Sequence, residues 1–219
     1  MRATAKIISI LFHPLFVIGY VLVLLLSINP YLFVIQDDHA RFLLIFSVFM
    51  LTIFFPLFSV FMMKMLDLIK SFQMEEKSER IGPLIVTGTF YMWLFVNIKD
   101  NGNIPDAFSF FVLGSTIALF LSLMLNSFTK ISLHTVGMGG LLAGTFFIRY
   151  FFSYDSFFVH LPFGTFNVHT NLVLLMVIVI AGAVGTSRLL LKAHHSMDVY
   201  GGYIVGIFAQ IIAFRIMVG

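Results

Sequence analysis

The sequence predicts an all-α, polytopic transmembrane helix bundle of six or seven spans, and three observations predict it. Hydrophobic residues make up 60% of the chain and charged residues only 11%, where a soluble domain carries roughly 45–50% and about 25%. Mean hydropathy is +1.03. The apolar residues fall into runs close to the ~20 that cross a bilayer, and no polar break between them is long enough to form a soluble domain. One membrane domain over residues 1–219 follows. The 28 Phe suit lipid-facing helix surfaces, and the lack of Cys removes disulfides and thiolate metal sites. The net charge of +3 is small. In such a chain it bears on topology, and no nucleic-acid partner is expected.

The elements follow in order. Arg2 and Lys6 precede an apolar run over 7–28, longer than the apolar region of a signal peptide and the length of one span. His13-Pro14 marks a bend or first turn near its start. Asn29-Pro30 and Gln36-Asp37-Asp38-His39 form a turn. A second helix runs from about 41 to 66, with Pro56 inside to kink it. The longest charged segment comes next: Asp67, Lys70, Glu75, Glu76, Lys77, Glu79 and Arg80, closed by Gly82-Pro83 and read as a solvated loop. The third helix, 84–98, is short. Lys99-Asp100-Asn101-Gly102-Asn103 is a turn, and the fourth helix covers about 105–128.

Lys130-Ile131-Ser132-Leu133-His134 opens a fifth helix that reaches about 152. Its Gly137, Gly140 and Gly144 share a face where small residues let helices approach closely. A loop over 153–169 contains Pro162 and Gly164. The sixth helix is 171–186. The seventh runs from 199 to the end, with Gly202 and Gly206 as a second small-residue face.

Between the last two helices the hydrocarbon breaks. Residues 187–198 deliver Arg188, Lys192, His194, His195 and Asp198. A charge at mid-bilayer costs about 2.5–3.5 kcal/mol on insertion scales, so such a cluster marks a membrane edge or a polar cavity, and a functional site. If all seven helices span, the segments 67–83, 130–134 and 187–198 share one side. They hold Lys77, Arg80, Lys130, Ser132, His134, Arg188, His194 and Asp198. Cations clamp phosphoryl oxygens, Arg bidentately, and histidine serves as nucleophile or general acid. Asp198, four residues after His194, lies on the same helical face and is placed to orient that ring.

At these residues the sequence resembles the phosphatidic acid phosphatase type 2 superfamily of membrane lipid phosphatases and soluble vanadium haloperoxidases. Ser187-Arg188, five residues, His194, three residues and Asp198-Val199 look like its third signature. The second signature, Pro-Ser-Gly-His, stands here as Ile131-Ser132-Leu133-His134, keeping Ser and His. The first, a Lys followed at seven residues by Arg-Pro, is nearest to Lys77, Arg80 and Pro83 at a shortened spacing, with Lys70 as the alternative lysine. The resemblance covers roughly 75–206 and looks most like a bacterial branch, which implies a bacterial inner membrane.

The resemblance implies roles. His194 is the nucleophile and forms a phosphohistidine. Asp198 orients and polarises it. Arg188, Lys77, Arg80 and Lys130 bind the phosphate oxygens, and Ser132 hydrogen-bonds to them. His134 protonates the leaving group and then activates water. The expected activity is metal- and cofactor-independent hydrolysis of a lipid phosphate or diphosphate drawn from the bilayer. Candidates are phosphatidic acid, phosphatidylglycerophosphate, a polyprenyl diphosphate or a lipid A phosphate. The alternative on the same scaffold is a head-group transferase. A zinc site on His194, Asp198 and His134, opposed by the intervening Arg188, and a transporter are the remaining readings. Counting basic residues on the two sides, the positive-inside rule places the site in the cytoplasm.

Overall fold

The computed structural model describes residues 1–35, 37–74, 76–161 and 164–219. Gln36, Glu75 and Pro162, named above, lie outside the described residues. Among the described residues, seven helices are long and apolar enough to cross a membrane. They form the expected all-helical bundle.

The first span is broken. Helix α1 (Arg2–Leu11) is followed by a 3-10 turn at Pro14–Phe16 and by α2 (Val17–Ile28). Pro14 has no N–H to continue the ladder, and His13 N bonds to Ile10 O, one residue short of an α-helical partner. The Ser9 carbonyl is thereby released from helix bonding. In the second span, α3 (Asp38–Phe49) starts at Asp37, whose carboxylate accepts from His39 N and Ala40 N at 3.2 and 3.3 Å. A π-helical turn, Met50–Phe54, joins α3 to α4 (Phe55–Met65). It sits where Pro56 withholds the N–H that the Thr52 carbonyl would accept, so the predicted kink takes the form of a widened turn.

The third span is longer than predicted. A 3-10 turn at Ser78–Arg80 leads into α5 (Ile81–Ile98), giving 21 residues in all. Pro83, expected to end the charged loop, lies in the first turn of α5. Helix N–H groups have no partner there, so proline costs nothing. The charged segment before it is no freely solvated loop. The buried Glu79 carboxylate accepts from Lys70 N at 2.6 Å and Glu76 N at 3.3 Å, folding the segment back on itself.

Helix α6 (Asp106–Asn126) is the most buried span, with Phe108, Phe110 and Phe111 fully enclosed. It packs on α7 (Leu133–Phe147) and α9 (Ser196–Met217), the closest pair in the bundle. A Cβ on Gly206 would overlap the backbone of Val136 and Gly140, and one on Gly139 would strike Tyr203. The predicted face of α7 divides. Gly140 and Gly144 meet Gln210 and Phe111, whereas Gly137 abuts Pro14 of the first span.

The loop expected over 153–169 is instead a β-hairpin. Strands β1 (Ser156–Leu161) and β2 (Gly164–His169) pair antiparallel from Ser156↔His169 to Leu161↔Gly164. Arg149 ties its base to α8 (Thr170–Leu190), donating to Asn171 Oδ1 and Asp155 Oδ1, each at 2.6 Å. Because α8 extends to Leu190, Ser187 and Arg188 occupy its last turn. Helix α1 packs along α8.

Candidate functional site

Segments 67–83, 130–134 and 187–198, far apart in sequence, converge with the broken first span around one cavity of about 1040 Å³. Its polar end holds Arg80, Lys130, Arg188 and Lys192 with His13, His134 and His194. No Asp or Glu lines it among the described residues. The rest of its lining is largely apolar, with Leu57 and Val60 from α4, Leu84 from α5 and Leu119 from α6. A cationic head and an apolar barrel fit an anionic amphiphile.

His194 is buried in the turn between α8 and α9. Its Nδ1 lies 3.1 Å from the Lys130 carbonyl. A carbonyl only accepts, so Nδ1 carries the proton and Nε2 keeps its lone pair. Burial, and the positive charges of Arg188 and Arg80, push this imidazole down to about 4. The ring is therefore neutral at physiological pH, with its lone pair on Nε2.

The Asp198 carboxylate stands 3.9 Å from His194 Nδ1, beyond hydrogen-bond reach. It accepts instead from His195 N at 3.0 Å, closing a capping box at the start of α9. The Lys130 carbonyl takes the orienting place that the sequence assigned to Asp198, and the carboxylate adds a longer-range favourable charge.

His134 sits in the first turn of α7, with Nε2 3.0 Å from the Ser9 carbonyl freed by the break in the first span. The same logic protonates Nε2 and leaves Nδ1 as the basic nitrogen. Its ring meets that of His13 edge to face, with centroids 5.1 Å apart. Arg188 lies within electrostatic reach of all three histidines. Its Nε is buried without a partner among the described residues. Arg80 is buried and donates Nε to Met74 O at 3.3 Å and Nη1 to Ile131 O at 3.1 Å. Those bonds fix the guanidinium against the cavity wall.

Other expected residues are placed differently. Lys77 is exposed and donates Nζ to Phe128 O at 2.7 Å, and it does not line the cavity. The alternative, Lys70, pairs with Glu76 at the surface. Ser132 precedes α7 and is fully buried, its N donating to Asp198 O at 3.1 Å. Its Oγ has no partner among the described residues and does not reach the cavity lining. Leu133, in place of glycine, lines the wall.

Two lining residues were named in the sequence without being assigned a role at the site. One is His13. The other is Lys192, at φ 54° in the left-handed region. It follows the C-cap of α8, Leu191, in a Schellman arrangement, with Ala193 N bonding Arg188 O and Lys192 N bonding Leu189 O. Glycine usually takes that position, so the lysine side chain is kept there at a conformational cost. Among the described residues no group of three or more His, Asp or Glu is arranged to hold a metal ion.

Fold and composition together define an integral membrane protein with a cationic, histidine-bearing cavity. Comparison with protein-family models, with curated proteins and with solved structures gave no match.

Proposed function

We propose that this protein is a lipid phosphatase of the inner membrane of a bacterium, hydrolysing a lipid phosphate monoester or diphosphate through a phosphohistidine. One observation carries the reading. His194, with Nδ1 anchored on the Lys130 carbonyl, faces, beside Arg188 and Arg80, a cavity whose lining holds no Asp or Glu among the described residues and includes apolar side chains of several spans.

In the first step the His194 Nε2 lone pair attacks phosphorus. The ester P–O bond breaks, its electron pair passes to the lipid oxygen, and that oxygen takes a proton from Nδ1 of His134, which takes that proton up from solvent when the anionic phosphate binds beside it. In the second step water gives a proton to His134 Nδ1 and its oxygen attacks the phosphohistidine. The P–N bond then breaks, inorganic phosphate leaves and His194 is restored. Arg188, Arg80, Lys130 and Lys192 neutralise the charge on the non-bridging oxygens throughout. Phosphate monoesters hydrolyse so slowly unaided, with enzymatic accelerations reaching about 10²¹, that fixed positive charge and positioning must supply most of the rate.

The deciding experiment measures phosphate release from a panel of lipid phosphates and diphosphates, with products identified by mass spectrometry. Free phosphate without a new phospholipid supports hydrolysis. A new phospholipid without phosphate makes the protein a head-group transferase. Neither product from any lipid overturns the proposal.

A further inference from the structure

The broken first span brings a third histidine to the site. His13 is the N-cap of the 3-10 turn, and its Nδ1 accepts from Leu15 N at 3.4 Å. In the neutral ring an accepting Nδ1 leaves the proton on Nε2. His13 is thus the reverse tautomer of His194. It offers an N–H, where His194 and His134 offer lone pairs.

Position supports a role toward a ligand. The ring lines the same cavity as Arg188, Lys130 and His194, packs on His134 at 5.1 Å and lies in the field of Arg188. Pro14, next to it, abuts Gly137 of α7, and a Cβ there would come within 3.3 Å of Pro14 Cβ. The turn that carries His13 is therefore seated directly against the helix that carries His134. Nothing in the helical ladder requires an imidazole here, because Ser, Asn or Asp would cap the turn as well. What the imidazole adds is a second nitrogen on the far edge of the ring.

We infer that His13 is a further residue of the site, its Nε2–H donating a hydrogen bond to a non-bridging oxygen of the bound phosphoryl group without transferring the proton. This rests on the phosphoryl-transfer reading above. A neutral N–H aimed at developing charge is the kind of preorganised donor that stabilises a transition state. It complements the cations by adding direction to their charge.

The test has a binding arm and a turnover arm. In the first, protein labelled with ¹⁵N-histidine is titrated in detergent with inorganic phosphate, and the His13 signals are assigned by their loss in His13→Gln. The expected result is a His13 Nε2 that stays protonated while its proton resonance moves downfield on phosphate addition. A response at His194 with none at His13 overturns this inference alone. No response at any histidine overturns it together with the phosphatase reading.

In the second arm, His13→Ala should lower kcat on the best lipid by about 10²-fold with little change in KM, the usual cost of one such donor. His13→Gln, which keeps an N–H, should recover much of the loss. Equal losses in the two folded variants, or a loss confined to KM, overturn the inference. If the wild-type protein releases no phosphate, the function fails and the binding arm alone decides on His13. If His13→Ala does not fold, His13→Gln and the wild-type titration carry the decision.

Discussion

The His134 imidazole donates from Nε2 to the main-chain carbonyl of Ser9, 3.0 Å away, and so joins the start of the fifth span to the break in the first. This bond fixes which nitrogen of His134 handles protons. Without its partner the Ser9 carbonyl is left unsatisfied in a buried place, a loss of about 1–3 kcal/mol. We expect His134→Ala to lower Tm in detergent accordingly. Its turnover should fall more for a lipid alcohol leaving group than for nitrophenolate, which needs no protonation. Equal losses on both substrates would contradict the acid role.

His194→Ala should abolish turnover, by at least about 10⁴-fold, since loss of a nucleophile removes nearly all of the chemical catalysis. Rapid quench of the wild-type protein with labelled lipid should trap a phosphoryl group that is labile in acid and stable in alkali. An active His194→Ala protein would remove the covalent route.

The His194 ring is pushed down to about 4 by burial and by Arg188 and Arg80. The unfolded chain, with an ordinary histidine near 6.5, therefore binds a proton that the folded protein refuses. This contribution leaves stability at its full value above about pH 6.5 and erodes it as pH falls to about 4, by at most ~1.4 kcal/mol per pH unit. Thermal unfolding from pH 7 to 4.5 should show a shallower decline for His194→Gln than for the wild type. Parallel curves would show that His194 is not held neutral.

Lys192→Gly should raise Tm while lowering kcat/KM. The left-handed backbone at φ 54° costs a lysine roughly 1 kcal/mol that glycine does not pay. The variant, however, removes a cation from the cavity. Lys77→Ala, which breaks only a surface bond to Phe128 O, should stay within about threefold of wild-type kcat/KM, whereas Arg188→Ala should lose about 10²-fold or more. The reverse ranking would return Lys77 to the site.

Sidedness is open to a direct test because the chain has no Cys. The site side carries Arg2, Lys6, Lys64, Lys70 and Lys77 in addition to the cavity cations, and we propose that it faces the cytoplasm. In intact cells an impermeant maleimide should label Asn101→Cys and spare Ser78→Cys. Both positions are exposed at opposite ends of the third span. Labelling of Ser78→Cys from outside would invert the orientation.

The seven spans were legible because lipid demands long apolar runs, and the 187–198 cluster was legible because charge is costly beside them. Strand pairing was not. Residues 156–161 and 164–169 mix Phe, Val and His within what reads as an aromatic loop, and only the pairing of two such pieces makes a hairpin. The extra turns of the third span were hidden by reading Gly82-Pro83 as a stop, when proline fits a first helical turn. His194, Arg188, Arg80 and Lys130, named from residue type and spacing, all line the cavity. Lys77 lies outside the cavity lining, bonded to Phe128 O just past the end of α6, a placement that the local sequence does not reveal. His13 was passed over because a lone histidine beside proline is unremarkable until the first span breaks at that point. The carbonyls that choose each tautomer have no side-chain signature.

Lys130 and Ser9 meet the histidines through their main-chain oxygens. Substitution at either position replaces a side chain but leaves the acceptor in place. Proton placement in this cavity is therefore buffered against point mutation. It can drift only through insertions, deletions or prolines that reroute the chain, so variants that alter it should cluster at the break in the first span and in the short connection before α7.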